Sequence, residues 1–155
     1  MIIRRAEERD IPDINALLYQ VNMVHHDGRP DLFKAGGRKY TDEELVTLIH
    51  DDERPIFVYD DGKRVVGYAF CIFQRHEHEN ILTDITSLYI DDLCVDEEER
   101  GKHIGTELFE HVKAFAKDSG CYNLTLNVWT LNGSAYKFYE KCGLVPQKIG
   151  METIL

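Results

Sequence analysis

The spacing of apolar positions along the chain changes several times, and each change marks an element. Ile14, Leu17, Leu18 and Val21 recur at the spacing of an amphipathic helix. Asp10 is placed to cap it, with Pro12 and Asp13 in its first turn. The stripe fades at His25–His26, and the glycine-bearing stretch from Asp27 to Gly37 reads as a loop. A second helix starts at Thr41, which forms a capping-box pattern with Glu44 and is followed by Leu45, Leu48 and Ile49.

The pattern then becomes that of strands. Ile2–Arg4 is a short edge strand, and Pro55–Tyr59 and Val65–Phe73 flank an Asp61-Gly62 hairpin turn. Gln74–Asn80 is polar and turn-like. Ile85–Val95 is apolar apart from Asp91 and Asp92. Ile104, Leu108, Val112, Phe115 and Ala116 give a third helical face, ended by Gly120. Tyr122–Trp129 is a strand, Asn132 opens a last helix that Gly143 ends, and Leu144–Ile149 and Glu152–Leu155 read as closing strands. The expected fold class is α/β: one domain over residues 1–155, with a mixed central sheet of six to seven strands flanked by about four helices. No internal repeat or low-complexity tract interrupts it.

Composition narrows the function classes. The net charge of −10 over 155 residues argues against nucleic acid or an anionic membrane as partner, since both favour basic surfaces. No stretch approaches the roughly 20 apolar residues needed to cross a bilayer. Cys71, Cys94, Cys121 and Cys142 are scattered without zinc spacing, so a reduced cytoplasmic setting is expected and no metal site. A homodimer is compatible with the sequence.

The segment Val95-Asp96-Glu97-Glu98-Glu99-Arg100-Gly101-Lys102-His103-Ile104-Gly105-Thr106 joins a strand to an amphipathic helix. Free N–H groups at a helix start, two glycines and the cations Arg100 and Lys102 suit a diphosphate. The competing reading is a tight turn with a solvated charge run.

This loop resembles the acetyl-CoA signature of the GNAT superfamily of N-acetyltransferases, Arg/Gln-x-x-Gly-x-Gly/Ala, here Arg100-Gly101-Lys102-His103-Ile104-Gly105. His103 departs from it, standing where the family usually has glycine. Histidine tolerates unusual backbone angles better than branched residues, so a small adjustment is expected. A second stretch, Asn132-Gly-Ser-Ala135-Tyr136-Lys-Phe138-Tyr139-Glu-Lys-Cys-Gly143-Leu144, resembles the same superfamily's Asn-x-x-Ala-x-x-Phe-Tyr pattern. The likeness is close from about Tyr89 onward and looser in the N-terminal third.

The resemblance implies a pantetheine cleft between splayed parallel strands at residues 88–95 and 122–129. Backbone groups of Leu93, Cys94 and Val95 would pair with the acetyl-CoA arm, and an N–H there would polarise the thioester carbonyl. Arg100, Gly101, Lys102, His103, Ile104, Gly105 and Thr106 would hold the pyrophosphate, with Asn132 near the pantetheine. Tyr139 takes the general-acid position; its competing reading is a core tyrosine. The run Leu88–Val95 is nearest in motif to diamine and polyamine acetyltransferases, which makes Asp91 the residue that meets the amine or relays its proton. Strand alternation puts Asp91 and Asp92 on opposite faces, so at most one is expected in the cleft; the competing reading is a structural hydrogen bond at a strand bulge.

His26, Arg29 and Asp31 fall on the loop that shapes the acceptor pocket in this family, and Trp129 is placed to line the cleft or to pack. Adjacent His25 and His26 point apart on a helix, which weakens a metal reading. His76-Glu77-His78-Glu79 reads as a solvated turn. The function implied is acetyl transfer from acetyl-CoA to a primary amine of a small cationic substrate. The alternatives are a peptide or protein N-acetyltransferase and a CoA-binding sensor without catalysis.

Overall fold

A computed structural model describes residues 1–155. The elements follow in the order β1 (Ile2–Arg5), α1 (Ile11–Gly28), α2 (Asp42–Ile49), β2 (Ile56–Asp60), β3 (Val65–Arg75), β4 (Thr86–Val95), α3 (Ile104–Asp118), β5 (Asn123–Leu126) and α4 (Gly133–Lys141). The strands lie in that same order across one sheet. The first four are antiparallel neighbours, and β5 is parallel to β4. A parallel link needs a crossover, and α3 supplies it.

Local chemistry accounts for the element ends. The Thr41 hydroxyl accepts from the Glu44 N–H at 3.2 Å, and the Glu44 carboxylate accepts from the Thr41 N–H at 3.2 Å, the reciprocal box that starts α2. Between β2 and β3, Asp61 accepts from the N–H groups of Lys63 and Arg64 at 2.8 and 2.9 Å, while Gly62 takes a φ of 97°. Only glycine adopts that angle without strain. Asn132 caps α4 by accepting from the Ala135 N–H at 3.3 Å. Helix α1 runs on to Gly28, beyond the point where its apolar stripe fades.

The sheet is covered on both faces. Ile14, Leu17 and Leu18 of α1 and Leu45, Leu48 and Ile49 of α2 pack with Tyr68, Phe70 and Cys94 on one side. Phe109, Val112 and Ala116 of α3 pack with Phe57, Ala69, Cys71, Leu88 and Ile90 on the other, where Phe138 and Tyr139 of α4 also dock. Each fully buried large side chain contributes about 1.5–3 kcal/mol relative to exposure. The architecture is therefore α/β, with five strands and four α-helices.

Two strand expectations are corrected. The sheet has five strands, not six to seven, because neither Leu144–Ile149 nor Glu152–Leu155 forms a strand. These segments have strand-like residues but meet no partner strand; no backbone hydrogen bond involves any residue from Val145 onward. Strand β5 is also shorter than Tyr122–Trp129. It pairs with β4 only over Ser87–Ile90 against Asn123–Leu126. Beyond Ile90, β4 continues to Val95 with no β5 partner, so the parallel pair splits apart there.

Candidate active site

The split between β4 and β5 opens beside the start of α3. From Gly101 to Thr106, no backbone N–H donates to a backbone carbonyl of the chain; the first intrahelical bond of α3 is Glu107 N–H to His103 O at 3.0 Å. Six adjacent donors are thus free at the positive end of a 15-residue helix. A side chain at Gly101 would meet nothing within 4 Å, so the space in front of the loop is open. Arg100 is exposed and makes no ion pair, whereas Lys102 is bound to Glu99 at 2.6 Å. Arg64 absorbs further acid, pairing with Asp96 at 2.6 Å and lying 3.8 Å from Glu99. Arg100 is therefore the cation left available to an anion here.

His103 takes a φ of 63° and a ψ of 15°, the left-handed conformation, immediately before α3. This is the angle glycine adopts without penalty. The loop keeps its course with histidine there, at a backbone cost. Gly105 serves a different end: a Cβ there would lie 3.3 Å from Cζ of Phe138. Its absent side chain lets α3 and α4 approach closely.

Asp91 and Asp92 fall on one face, not on opposite faces. The pairing of β3 with β4 runs Phe70 with Asp92 and then Cys71 with Ile90, leaving Asp91 as the unpaired residue of a bulge. Leu88, Ile90 and Leu93 face α3, and Cys94 faces α1. The extra residue shifts the alternation so that both acids turn toward α1 and α2. Asp92 accepts a hydrogen bond from the Tyr68 hydroxyl at 2.7 Å. Asp91 accepts one from the Tyr40 hydroxyl at 2.6 Å and pairs with the Lys39 ammonium at 2.9 Å. The two tyrosines both rest on Phe70, Tyr40 stacked at 5.4 Å and Tyr68 edge-on at 4.9 Å.

Burial raises the Asp92 pKa to about 6; the Tyr68 hydrogen bond and the Lys39 charge oppose the rise, and Asp91 adds to it. Burial first, and then the same acids, push the Tyr68 and Tyr40 hydroxyls well above their ordinary range. Tyr139 is also raised, by burial first and then by Asp92, Cys142 and Cys94. Its hydroxyl makes no hydrogen bond within the chain, and its ring contacts Phe138 and Phe109. The Cys94 thiol, held up at about 12 by burial and nearby acids, faces the Leu17 carbonyl at 3.9 Å.

The other residues expected on the acceptor side from the sequence form a separate group at the end of α1. His25 and Trp129 both pack on Phe33, at 4.8 and 5.5 Å between ring centres. His26 bonds through Nδ1 to the Phe33 carbonyl at 2.7 Å, so it ties the 29–40 loop to α1. Arg29 pairs with Asp31 at 2.9 Å and with Glu152. Asn132 uses its side-chain oxygen to cap α4. His76 meets Glu79 at 3.2 Å within its turn. Three members of the acid cluster, Lys39, Tyr40 and Tyr68, were not singled out by the sequence. Tyr68 alone carried a signal, being a tyrosine within a buried strand whose hydroxyl needs a partner.

Residues 21–144 match the sequence model of the acetyltransferase (GNAT) family. Glucosamine 6-phosphate N-acetyltransferase 1 of Dictyostelium discoideum is 33% identical over 43% of this chain and 41% of its own. Thialysine N-epsilon-acetyltransferase of Bos taurus is 32% identical over 53% of this chain and 45% of its own. The chain thus matches less than half the length of each of these two enzymes. The crystal structure of a mutant of the BH1408 protein from Bacillus halodurans superposes with a TM-score of 0.95 and 28% identity, covering 100% of this chain and 99% of that one.

Proposed function

The chain belongs to the acetyltransferase (GNAT) family, and on that premise we propose that it moves an acetyl group from acetyl-CoA directly to a primary amine of a small cationic substrate, with residues 1–155 as one catalytic unit. The observation that carries the acceptor side is the ion pair at Asp91. The chain's own primary ammonium, Lys39, lies 2.9 Å from that carboxylate, with a second carboxylate next to it in sequence. A pair of acids on one face, beside the opening of the sheet, suits an acceptor that arrives as a cation. The names of both curated relatives specify N-acetylation, of an amino sugar phosphate in one case and of thialysine in the other.

The cofactor side rests on the free N–H groups of residues 101–106 and on Arg100, which suit a diphosphate by geometry and charge. When bound, acetyl-CoA supplies an activated acetyl thioester. Backbone groups of Leu93, Cys94 and Val95, on the β4 edge that β5 leaves unpaired, hold the pantetheine arm and offer a donor to the thioester oxygen. Asp91 orients the ammonium. Asp92, with its pKa near 6, is ionised at neutral pH and takes up the proton the amine must lose, directly or through a water. Tyr139, protonated at neutral pH as any tyrosine is, hands a proton to the departing sulfur. Cys94 takes no part as a nucleophile, because a thiol at about 12 is almost wholly protonated at neutral pH. Transfer is therefore direct.

The test is a set of acceptors matched in size but differing in charge, followed by release of free CoA. Diamines and other polycations should show the highest kcat/KM. Equal turnover of neutral or anionic amines would overturn the assignment of the acid pair to the acceptor.

A further inference from the structure

Lys39 lies in the connection between α1 and α2, which holds neither helix nor strand from Arg29 to Thr41. Its neighbours on both sides are anchored. Arg38 pairs with Asp42 at 2.7 Å and donates to Asn15, and the Tyr40 ring stacks on Phe70. The backbone at Lys39 is thereby held near Asp91. Its side chain is less constrained: it is 46% exposed, and Asp91 is its one ion-pair partner. The Asp91 side chain, by contrast, is only 14% exposed.

The two donors on Asp91 differ in kind. Both reach the same oxygen, Oδ2. The Tyr40 hydroxyl belongs to a packed ring, whereas the Lys39 ammonium ends a flexible four-carbon stem and is half open to solvent. An ion pair with one partner so exposed contributes little to stability, so the fold does not depend on its staying closed. The ammonium is nonetheless placed among the groups an acceptor would meet. Its charge opposes the burial-driven rise of the Asp92 pKa, and, after burial, it lowers the pKa of His25, which packs beside Phe33 and Trp129. Lys39 is therefore within electrostatic range of both the acid pair and the aromatic group at the end of α1.

We propose that Lys39 is a tethered occupant of the acceptor subsite: its ammonium stands on Asp91 where the substrate amine binds, and the substrate enters by displacing it. The two are the same chemical group, a primary ammonium, and both need the same carboxylate. Two such charges cannot share it without repulsion. Because Arg38 and Tyr40 fix the tether, Lys39 returns whenever the acceptor leaves. Asp91 is thus never left without a cation, and the KM for every acceptor includes the cost of moving Lys39 aside. This rests on the proposed role of Asp91 toward the acceptor and adds to it a competitor carried by the chain itself.

Lys39→Met keeps an unbranched stem and removes the ammonium. Its KM for the linear probe tetramethylenediamine should fall about fivefold, the upper ratio for release of an exposed ion pair, with kcat and the calorimetric Kd for acetyl-CoA unchanged. Lys39→Arg should raise that KM, because a guanidinium grips a carboxylate through two bonds. In an Asp91→Asn background, Lys39→Met should gain almost nothing. In the wild type with CoA bound, the NMR resonance of the Lys39 ammonium should move as the diamine is titrated in. An unchanged or higher KM for Lys39→Met overturns the proposal. So does an equal gain with and without Asp91, or a resonance that stays in place. The last measurement uses the wild type and decides the matter even if the variants fail to fold. Should Asp91→Asn leave the KM for cationic amines unchanged, the acceptor role of Asp91 falls and this proposal with it. Should Asp91→Asn raise KM while Lys39→Met does not lower it, only the displacement falls.

Discussion

Asp91 and Asp92 are consecutive in the chain, yet their carboxylates accept hydrogen bonds from two tyrosines packed against the same phenylalanine, Tyr40 at 2.6 Å and Tyr68 at 2.7 Å. The Lys39 ammonium touches only the first of them. The two acids therefore have different surroundings, and the proposed mechanism gives them different duties. Asp91→Asn should raise KM for a cationic amine about tenfold, since a hydrogen bond to a charged group contributes about 1.5–3 kcal/mol, and should leave kcat and acetyl-CoA affinity nearly unchanged. Asp92→Asn should instead lower kcat by roughly 10²–10⁴. Steady-state kinetics on the two variants separates the roles, and equal effects on both constants would merge them.

The raised pKa of Asp92 gives a pH signature in both activity and stability. The acid limb of kcat/KM should fall at about pH 6 and be missing from the residual activity of Asp92→Asn. For stability the sign is opposite to that of an ordinary paired carboxylate. The folded chain holds this proton more tightly than the unfolded one, so the contribution is full below 3.8 and is lost as pH rises to about 6. Asp92→Asn, which stays neutral, should melt higher than the wild type at pH 8, and this advantage should vanish near pH 4. A lower melting temperature at pH 8 would contradict burial as the dominant cause.

Tyr139 has a hydroxyl with no partner in the chain. Tyr139→Phe therefore leaves no orphaned group, and its stability should stay within about 0.5 kcal/mol of the wild type. Its kcat should fall by about 10²-fold with the Kd for acetyl-CoA unchanged by calorimetry. An unchanged kcat removes the proton donor from this residue.

The loop proposed to hold the pyrophosphate offers two contrasting substitutions. Arg100→Ala should weaken CoA binding by about tenfold or more, as expected for loss of a charge-assisted contact, while Lys102→Ala should matter less because Glu99 already holds that ammonium. Titration calorimetry with CoA ranks the two. His103→Gly should stabilise the fold by about 1 kcal/mol, because glycine adopts the left-handed angle without the penalty of a side chain, and CoA affinity should not drop. Gly105→Glu is a poor probe of charge alone, since its Cβ would press on Phe138.

Much of this was legible in the residues. The stripe from Ile104 to Ala116, the capping box at Thr41 and the turn at Asp61-Gly62 depend on neighbours in sequence, and each forms as its pattern implies. The loop from Arg100 to Thr106 is likewise local. What escaped was set by contacts distant in sequence. Alternation along β4 separated Asp91 from Asp92, and only the pairing with β3 brings them onto one face. Lys39 and Tyr40 reach Asp91 across 51 or more positions of sequence. The closing strands failed for a related reason: Ile149 and Ile154 have the right composition, but a strand is defined by its neighbour, and this chain places none beside them.

The bulge in β4 also makes the number of acids in the site a matter of chain length. Asp91 is the surplus residue: without it, Asp92 would still oppose Phe70 and Ile90 would still oppose Cys71. Ile90, Asp92, Leu93, Cys94 and Val95 would then alternate without a break, each side chain pointing as it does now. Removing one codon thus leaves one carboxylate on this face, and inserting one restores two, while the surrounding sheet keeps its register. In this fold, the charge on that face can be changed by a single-residue indel as readily as by substitution.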